Sequence, residues 1–344
     1  MGLIDQNLKT FNCAQRDEDL FFVSSEMNLV FKYSMKNKDV VFLPSNTEDL
    51  LGKSLYGNVI AVESDVYIIP FCAKKMWKYN ERTGWTSIDL PPIDYSCKFM
   101  GAIRHGQYIY LLGYEKPEIY KYDCLLKTFN KLNIDSDLKV DEELGCFGLD
   151  YEVRNGIIFI PYMSDNKVME INCNDSRIKV VDVPSSSRGY SGIACCEDGF
   201  WLSPRKGKHY INYSYDGEIK EYELPKEYEP EFEYFGGAYC KGREIIFTSF
   251  NKLNYEFDSK NPQVGKTFGP GISYYKVLDS GYIIFSEIDG TVHCETEKGI
   301  TSIIEIQVPV AKKMEYIKVN MDKKKVLSEG RDMELADFIE MIKL

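Results

Sequence analysis

Short runs in which apolar and polar residues alternate follow one another along most of the chain, and polar turns rich in Asn, Asp, Lys and Gly separate them. Alternation with a period of two is typical of a β-strand with one buried face, because successive side chains point to opposite faces. The pattern therefore predicts a chain made of many short β-strands.

An aromatic-rich strand marks a unit that recurs seven times along the chain. In each unit this second strand follows a strand that opens near a small residue, and it precedes a Tyr-bearing strand and a fourth strand that often ends in proline, as at Leu43-Pro44 and Leu90-Pro91. Proline suits a sheet edge because it has no N–H for a neighbouring strand. The marker residues, about 44 residues apart on average, are Phe21, Tyr67, Tyr110, Phe159, Trp201, Phe247 and Phe285.

Four alternating strands about every 44 residues are typical of a β-propeller blade. The prediction is an all-β fold, a seven-bladed β-propeller of four-stranded antiparallel blades over residues 9–309, with a short helical tail over 310–344. The first unit (9–44) and the seventh (273–309) each contain four candidate strands, which favours closure without strand exchange. Six blades plus an additional domain is the alternative.

The repeats resemble those of kelch-type and related bacterial propellers over residues 9–309. The segment Trp77-Lys-Tyr-Asn-Glu-Arg-Thr-Gly-Trp85 is the most similar to a kelch blade. Two departures weaken the kelch assignment: the double glycine occurs once, at Gly236-Gly237, and Trp85 has no counterpart in most units. The resemblance implies the fold and leaves the function open.

The pattern changes after Pro309. Residues 311–325 contain six lysines, which predicts a basic linker. The last residues predict an amphipathic helix, because apolar side chains recur at the spacing of one helix face. This helix either packs against the propeller or docks into a groove of a partner. Its apolar residues are Leu335, Phe338, Ile339 and Ile342.

Charge and targeting narrow the class of protein. The 344 residues carry 42 Lys and Arg against 53 Asp and Glu, a net charge of −11, which disfavours general nucleic-acid binding because such proteins neutralise phosphates with clustered cations. No apolar stretch reaches the length of a membrane span, and the N-terminus lacks the apolar core of a signal peptide. We therefore expect an acidic, cytoplasmic protein without a membrane span.

Cysteine and histidine usage argues against a metal centre. Ten cysteines are spread from Cys13 to Cys294 without a CxxC pair, and the chain has three histidines. The adjacent Cys195 and Cys196 are expected to point to opposite faces of a strand. Small buried thiols in a reducing compartment are favoured over a zinc or redox site, and neither metal nor cofactor is predicted.

No familiar catalytic set is evident. Ser286-Glu-Ile-Asp-Gly290 is one loose match to a sialidase-type Asp box, and the first strands of the units are expected to supply no set of Glu, Asn and Asp. His105 is interpreted as a turn residue and His293 as a core residue. Catalytic residues stay unassigned, and we lean towards a protein that is not an enzyme.

Basic residues recur in the loops between second and third strands, which in a propeller lie with the blade-joining loops on the face above the central channel. Arg188 and Arg205 are predicted to bind a carboxylate or phosphate as a fork, with Tyr190 as an aromatic platform. Acidic runs at 141–143 and 227–233 are expected on the same side. The candidate ligand-binding residues are Arg188, Tyr190, Arg205, Lys208, His209, Lys74 and Lys75.

The functional prediction is a non-enzymatic binding or scaffold propeller that recognises a protein, peptide or glycan-like ligand on this loop face. The alternative is a carbohydrate-active or lyase-like enzyme that uses the axial channel. The sequence leaves the ligand and the oligomeric state open.

Overall fold

The computed structural model describes residues 9–24, 28–43, 55–135, 137–197, 199–226, 235–249, 253–269, 271–278, 280–281, 283–287, 290–296 and 299–304. All regular secondary structure in these residues is β-strand. Within the same ranges, no helix is long and apolar enough to span a membrane. The tail over 310–344 lies outside the described residues, and with it the helix predicted from Leu335, Phe338, Ile339 and Ile342.

The strands form seven antiparallel four-stranded sheets, and each sheet is built from four strands that are consecutive in sequence. Blade one contains β1 (Thr10–Arg16), β2 (Asp19–Ser24), β3 (Val30–Ser34) and β4 (Asp39–Phe42), and blade two contains β5 (Tyr56–Val62), β6 (Asp65–Pro70), β7 (Lys75–Asn80) and β8 (Gly84–Asp89). Blade three contains β9 (Phe99–His105), β10 (Tyr108–Gly113), β11 (Ile119–Asp123) and β12 (Thr128–Lys131), and blade four contains β13 (Glu152–Arg154), β14 (Ile157–Tyr162), β15 (Lys167–Asn172) and β16 (Ile178–Asp182). Blade five contains β17 (Arg188–Cys195), β18 (Gly199–Lys206), β19 (His209–Ser214) and β20 (Ile219–Glu223), and blade six contains β21 (Phe235–Lys241), β22 (Glu244–Ser249), β23 (Asn254–Asp258) and β24 (Asn261–Phe268). Blade seven contains β25 (Ile272–Val277), β26 (Ile283–Glu287), β27 (Val292–Thr296) and β28 (Gly299–Ile304).

This architecture confirms the predicted fold class, a seven-bladed β-propeller of four-stranded antiparallel blades. Blades one and seven each contain four strands of their own, so the six-blade alternative is wrong. The predicted limits of the propeller and of the tail stay predictions.

Burial falls from the second strand of a blade to the fourth. The second strands β2, β6 and β10 are buried along almost their whole length, whereas the fourth strands β4 and β12 are mostly exposed or half-buried. Large apolar side chains on the second strands therefore supply most of the core, since burying apolar area is the main favourable contribution to folding. This explains why the aromatic marker strands were visible in the sequence.

The chain divides into two compact units, residues 1–89 with 277–344 and residues 90–276. In the first unit, Phe21, Val59 and Ile68 belong to one buried cluster shared by blades one and two. In the second, Trp201 and Tyr210 of blade five pack against Phe247 and Phe257 of blade six. Consecutive blades within each unit thus share apolar cores.

Candidate functional site

The first strand of every blade lies at an edge of its sheet, so one row of its backbone N–H groups has no strand partner within the blade. Buried N–H groups need acceptors, because an unsatisfied donor costs free energy. In blade four, two acidic side chains, Asp150 and Glu152, meet this need for the following blades, and Arg154 donates to a carbonyl on the same side. We call Asp150, Glu152 and Arg154 the charged strap.

Asp150 accepts three backbone hydrogen bonds. Its Oδ2 accepts the N–H of Ile193 in blade five at 2.7 Å and that of Ala238 in blade six at 3.0 Å. Its Oδ1 accepts the N–H of the following residue, Tyr151, at 3.1 Å. One carboxylate therefore joins the first strands of blades four, five and six.

Glu152 and Arg154 continue the strap along the same strand edge. Glu152 Oε1 accepts the N–H of Cys195 at 3.4 Å. Arg154 Nη1 donates to the carbonyl oxygen of Cys196 and to the hydroxyl of Tyr215, both at 2.5 Å. Because Asp150, Glu152 and Arg154 alternate, their side chains share one face of the strand, the face turned to blade five.

Burial perturbs the acidity of the groups in this cluster. It raises the pKa of Asp150 well above its usual range, although three N–H donors oppose the shift. It raises the pKa of Glu152 to about 7, against the opposing bond from Cys195. Burial, with the Glu152 charge as a second cause, raises the pKa of the Cys195 thiol to about 12. Glu152 is therefore poised to change charge near neutral pH.

Glycine permits the close approach of the first strands in this part of the molecule. A Cβ atom at Gly192 would collide with backbone atoms of Gly237 and Ala238. The opposed backbones bring the Sγ atoms of Cys196 and Cys240 to 3.4 Å from each other. We call Cys196 and Cys240 the thiol pair.

The expectation that the first strands supply no acidic set is wrong, because Glu152 opens β13 and Asp150 lies two residues before it. In register, the marker residue of the second strand pairs with Ala14, Ile60, Ile103 and Ala194 in blades one, two, three and five, but with Glu152 in blade four. The signal was available in the sequence as two acidic residues at alternate positions, Asp150 and Glu152, where blade one carries Asn12 and Ala14 and blade two carries Asn58 and Ile60.

The loops of blades four and five hold part of the predicted ligand site. Arg188 opens β17 and forms an ion pair with Asp141, a member of the acidic run that was expected on the same side. Tyr190 is fully buried, and its hydroxyl donates to the Val183 carbonyl at 2.5 Å. The expectation of an exposed aromatic platform at Tyr190 is therefore wrong.

The other predicted ligand residues are partly exposed or exposed. Arg188 pairs in register with Lys206, so the adjacent Arg205 points to the opposite face of the sheet, which separates the two arms of the predicted fork. Lys208 forms an ion pair with Glu223, and the His209 N–H donates to Ser187 Oγ at 2.7 Å. In the first unit, Lys74 is exposed and Lys75 lies 3.7 Å from Asp89. Their role in binding stays a prediction.

Four of the ten cysteines fit the expectation of buried thiols: Cys13, Cys146, Cys173 and Cys294. The other six are partly exposed, among them Cys195 and both members of the thiol pair. Among the described residues, no group of three or more His, Cys, Asp and Glu side chains is arranged to hold a metal ion.

Solved structures share the fold of this chain at low sequence identity. Virginiamycin B lyase from Staphylococcus aureus is 14% identical with a TM-score of 0.62, over 85% of this chain and 96% of that one. A streptogramin B lyase is 15% identical with a TM-score of 0.63, over 85% and 94%. BamB from Moraxella catarrhalis is 10% identical with a TM-score of 0.58, over 82% and 84%.

No family model matches the chain, and no curated protein matches it in sequence. The structural neighbours are a lyase and BamB, which are propellers outside the kelch type, so they support the propeller part of the predicted resemblance and leave the kelch part a prediction. At this identity, the likeness shows a shared β-propeller fold and nothing finer.

Proposed function

We propose that the chain is a non-enzymatic binding propeller that recognises a protein, peptide or glycan-like ligand on the loop face of blades four and five. The observation that carries the proposal is the use of the strap carboxylates. Asp150 and Glu152 accept backbone N–H groups of neighbouring first strands, so both are committed to holding the blades together. A catalytic acid or base has to reach substrate instead.

The loop face itself has the properties of a prepared binding surface. Asn166 Nδ2 donates to the carbonyls of Ser185 and Ser187, both at 3.0 Å, and its Oδ1 accepts the N–H of Gly189 at 2.7 Å. Glu221 accepts bonds from the hydroxyls of Ser185 and Ser186. Loops fixed in this way lose little conformational entropy when a ligand binds.

The charge on this face defines a direct test. Asp141 already pairs with Arg188, so an anionic ligand must compete with the Asp141 carboxylate for the guanidinium. Binding of a fluorescein-labelled hexaglutamate peptide is measured by fluorescence anisotropy at low salt. Arg188→Ala is expected to weaken binding, whereas Asp141→Asn is expected to tighten it because it releases Arg188.

Arg177→Ala is the matched control, because Arg177 is an exposed arginine beside β16 with an ion pair to Asp175. It is expected to bind the probe like the wild type. Equal binding by Arg188→Ala and the wild type would exclude this site. Tighter binding of hexalysine than of hexaglutamate would assign the face to a basic partner instead.

A lyase-like enzyme is the second candidate, and one observation favours it. Glu152, whose pKa burial raises to about 7, lies two residues from Arg154 on the same strand face, and two neighbours in fold are lyases. One such neighbour is catalytically inactive when a histidine is replaced by alanine, so its activity depends on that histidine. This speaks against the second candidate, because the charged strap contains no histidine. The hydrogen bonds that the structure shows for the charged strap of this chain all go to backbone groups and Tyr215.

Incubation with quinupristin, the compound bound to that inactive neighbour, tests the second candidate. Mass spectrometry of the small molecule reports any conversion. Conversion by the wild type that Glu152→Gln abolishes would favour the enzyme over the binding protein. An unchanged compound would exclude lyase activity of this kind.

A further inference from the structure

The thiol pair joins two blades, and nothing in the proposed function uses it. Cys196 follows β17 of blade five, Cys240 lies on β21 of blade six, and their Sγ atoms are 3.4 Å apart. Both residues are partly exposed. Cys240 Sγ also lies 3.1 Å from the carbonyl oxygen of Gly242, which is itself exposed, so small molecules in solution can reach this end of the pair.

We propose that Cys196 and Cys240 are a reversible redox site, which a hydroperoxide oxidises to a disulfide that links blades five and six. Two thiols on neighbouring strands, already in van der Waals contact, need a small movement to reach bonding distance.

The surroundings hold Cys196 in place for this reaction. Its N–H donates to the Gly199 carbonyl at 2.7 Å. Its carbonyl accepts from Arg154 Nη1 at 2.5 Å and from the Tyr215 hydroxyl at 3.3 Å. With both of its backbone groups bonded, the Cys196 backbone is held beside Cys240. Little backbone entropy is therefore lost when the disulfide forms.

The polarity of the contact distinguishes the two thiols. The Cys196 S–H donates to Cys240 Sγ, which lowers the pKa of Cys240 and raises that of Cys196. Because Cys240 Sγ also lies at the exposed end of the pair, beside Gly242, Cys240 is the thiol that meets the peroxide and attacks as its thiolate, and Cys196 is the thiol that resolves the intermediate.

The chemistry balances with hydrogen peroxide as the oxidant. The Cys240 thiolate attacks one peroxide oxygen, the O–O bond breaks, and hydroxide leaves and takes a proton to become water, which leaves a sulfenic acid on Cys240. Cys196 sulfur then attacks Cys240 sulfur, the S–O bond breaks, and the leaving hydroxide takes the Cys196 proton to become a second water. The two thiols lose two electrons and two protons in total. The peroxide takes up the two electrons and the two protons and becomes two molecules of water.

The test treats the folded full-length chain with hydrogen peroxide, blocks the remaining thiols and digests the protein without reductant. Mass spectrometry is expected to find one cross-linked peptide joining Cys196 and Cys240, which dithiothreitol cleaves. Cys195→Ser is the matched control, since Cys195 is adjacent but outside the pair, and it is expected to retain the cross-link. Cys196→Ser is expected to leave Cys240 as the sulfenic acid, trapped by dimedone.

Three outcomes would overturn the proposal: a Cys195–Cys196 disulfide in place of the blade-to-blade link, oxidation of Cys196 and Cys240 to separate sulfinic acids, or unreacted Cys196 and Cys240 at a peroxide dose that oxidises other partly exposed cysteines. The wild-type digest decides between these even where a serine variant fails to fold.

Discussion

Blades one and two satisfy the donors of their first strands with neutral amides, whereas blades four to six use a carboxylate. In blade one, Asn12 Oδ1 accepts the N–H of Cys13 at 2.7 Å, and in blade two Asn58 Oδ1 accepts the N–H of Val59 at 2.8 Å. Asn12 Nδ2 also donates to Asn58 Oδ1 at 2.9 Å, so the two amides join blades one and two. Asp150 accepts the N–H of Tyr151 in the same way, and it also accepts backbone N–H groups from two further blades.

The difference arises because blades five and six carry a glycine directly before the N–H group that needs an acceptor, where blades one and two carry Asn12 and Asn58. Gly192 and Gly237 have no side chain to accept the N–H of the residue that follows them. Asp150 accepts both of these N–H groups with one oxygen. The Asp150 carboxylate thus takes the place of two missing side chains and connects blade four to blades five and six. It also places an ionisable group where Asn12 and Asn58 are neutral.

The largest effect on the free energy of unfolding is expected from removing the Asp150 carboxylate. Asp150→Ala leaves the N–H groups of Ile193 and Ala238 without acceptors and is expected to lower the free energy of unfolding by about 3–5 kcal/mol. Asn12→Ala deprives the Cys13 N–H of its acceptor and removes the bond from Asn12 Nδ2 to Asn58 Oδ1, whose backbone donor Val59 stays paired, and it is expected to cost about 1–2 kcal/mol. Urea unfolding of both variants measures the difference. Equal losses would show that the carboxylate holds no more than the amide does.

The carboxylates also predict a pH dependence that the amides lack. Because burial raises the pKa of Glu152 from 4.5 to about 7, the folded protein binds this proton more tightly than the unfolded chain. Stability from this group is therefore present below pH 4.5 and is lost as the pH rises towards 7, by about 3 kcal/mol. Asp150, whose pKa is also raised, contributes in the same direction.

Glu152→Gln tests this expectation by thermal unfolding between pH 4.5 and pH 8. The variant is expected to lose about 3 kcal/mol of the pH-dependent change and to exceed the wild type in stability at pH 8. Glu170→Gln is the control, since Glu170 lies on β15 and bonds to Lys179. A variant that keeps the full slope would assign the pH dependence to other groups.

The fold was predictable because it rests on periodic features. The marker residues from Phe21 to Phe285 recur in every blade, and Phe21 and Tyr110 are fully buried where the alternation placed them. Asp150 and Glu152 were missed because their importance comes from partners 43 to 88 residues away, across two blade boundaries. The two alternating acids break the repeat in blade four, and a search for recurring residues passes over such a break.

The predicted loop site shows the same limit. Basic residues were visible in the sequence, but their neutralisation depends on which acids the fold brings near. Arg188 pairs with Asp141 from another blade-joining loop, 47 positions earlier in the chain. The burial of Tyr190 depends on the packing of blades four and five. Neither property has a local sequence signal.

The glycines offer a smaller and more local test of the comparison. Gly192→Ala places a Cβ against the backbone of Gly237 and Ala238, which is expected to cost about 2–3 kcal/mol because backbone atoms have to move. Gly148→Ala is the control, since its nearest neighbour is the flexible Met163 side chain, with Sδ at 3.3 Å. Urea unfolding compares the two variants. A larger loss at Gly148 would contradict the close approach of blades five and six.

The smallest effect is expected at the outer strands, where the two regions are alike. Lys75 pairs in register with Asp89 in blade two, and Lys167 pairs in register with Asp182 in blade four, each pair as an ion pair across the third and fourth strands. The acidic partners are exposed, so water and salt screen both pairs. Lys75→Ala and Lys167→Ala are each expected to change the free energy of unfolding by less than about 1 kcal/mol. The change is expected to be smaller still in 0.5 M NaCl, where the Debye length is about half of its value at physiological salt. A substantially larger loss for Lys167→Ala would mean that blade four differs from blade two at its outer strands as well as at its first strand. Equal small losses would limit the difference to the first strands.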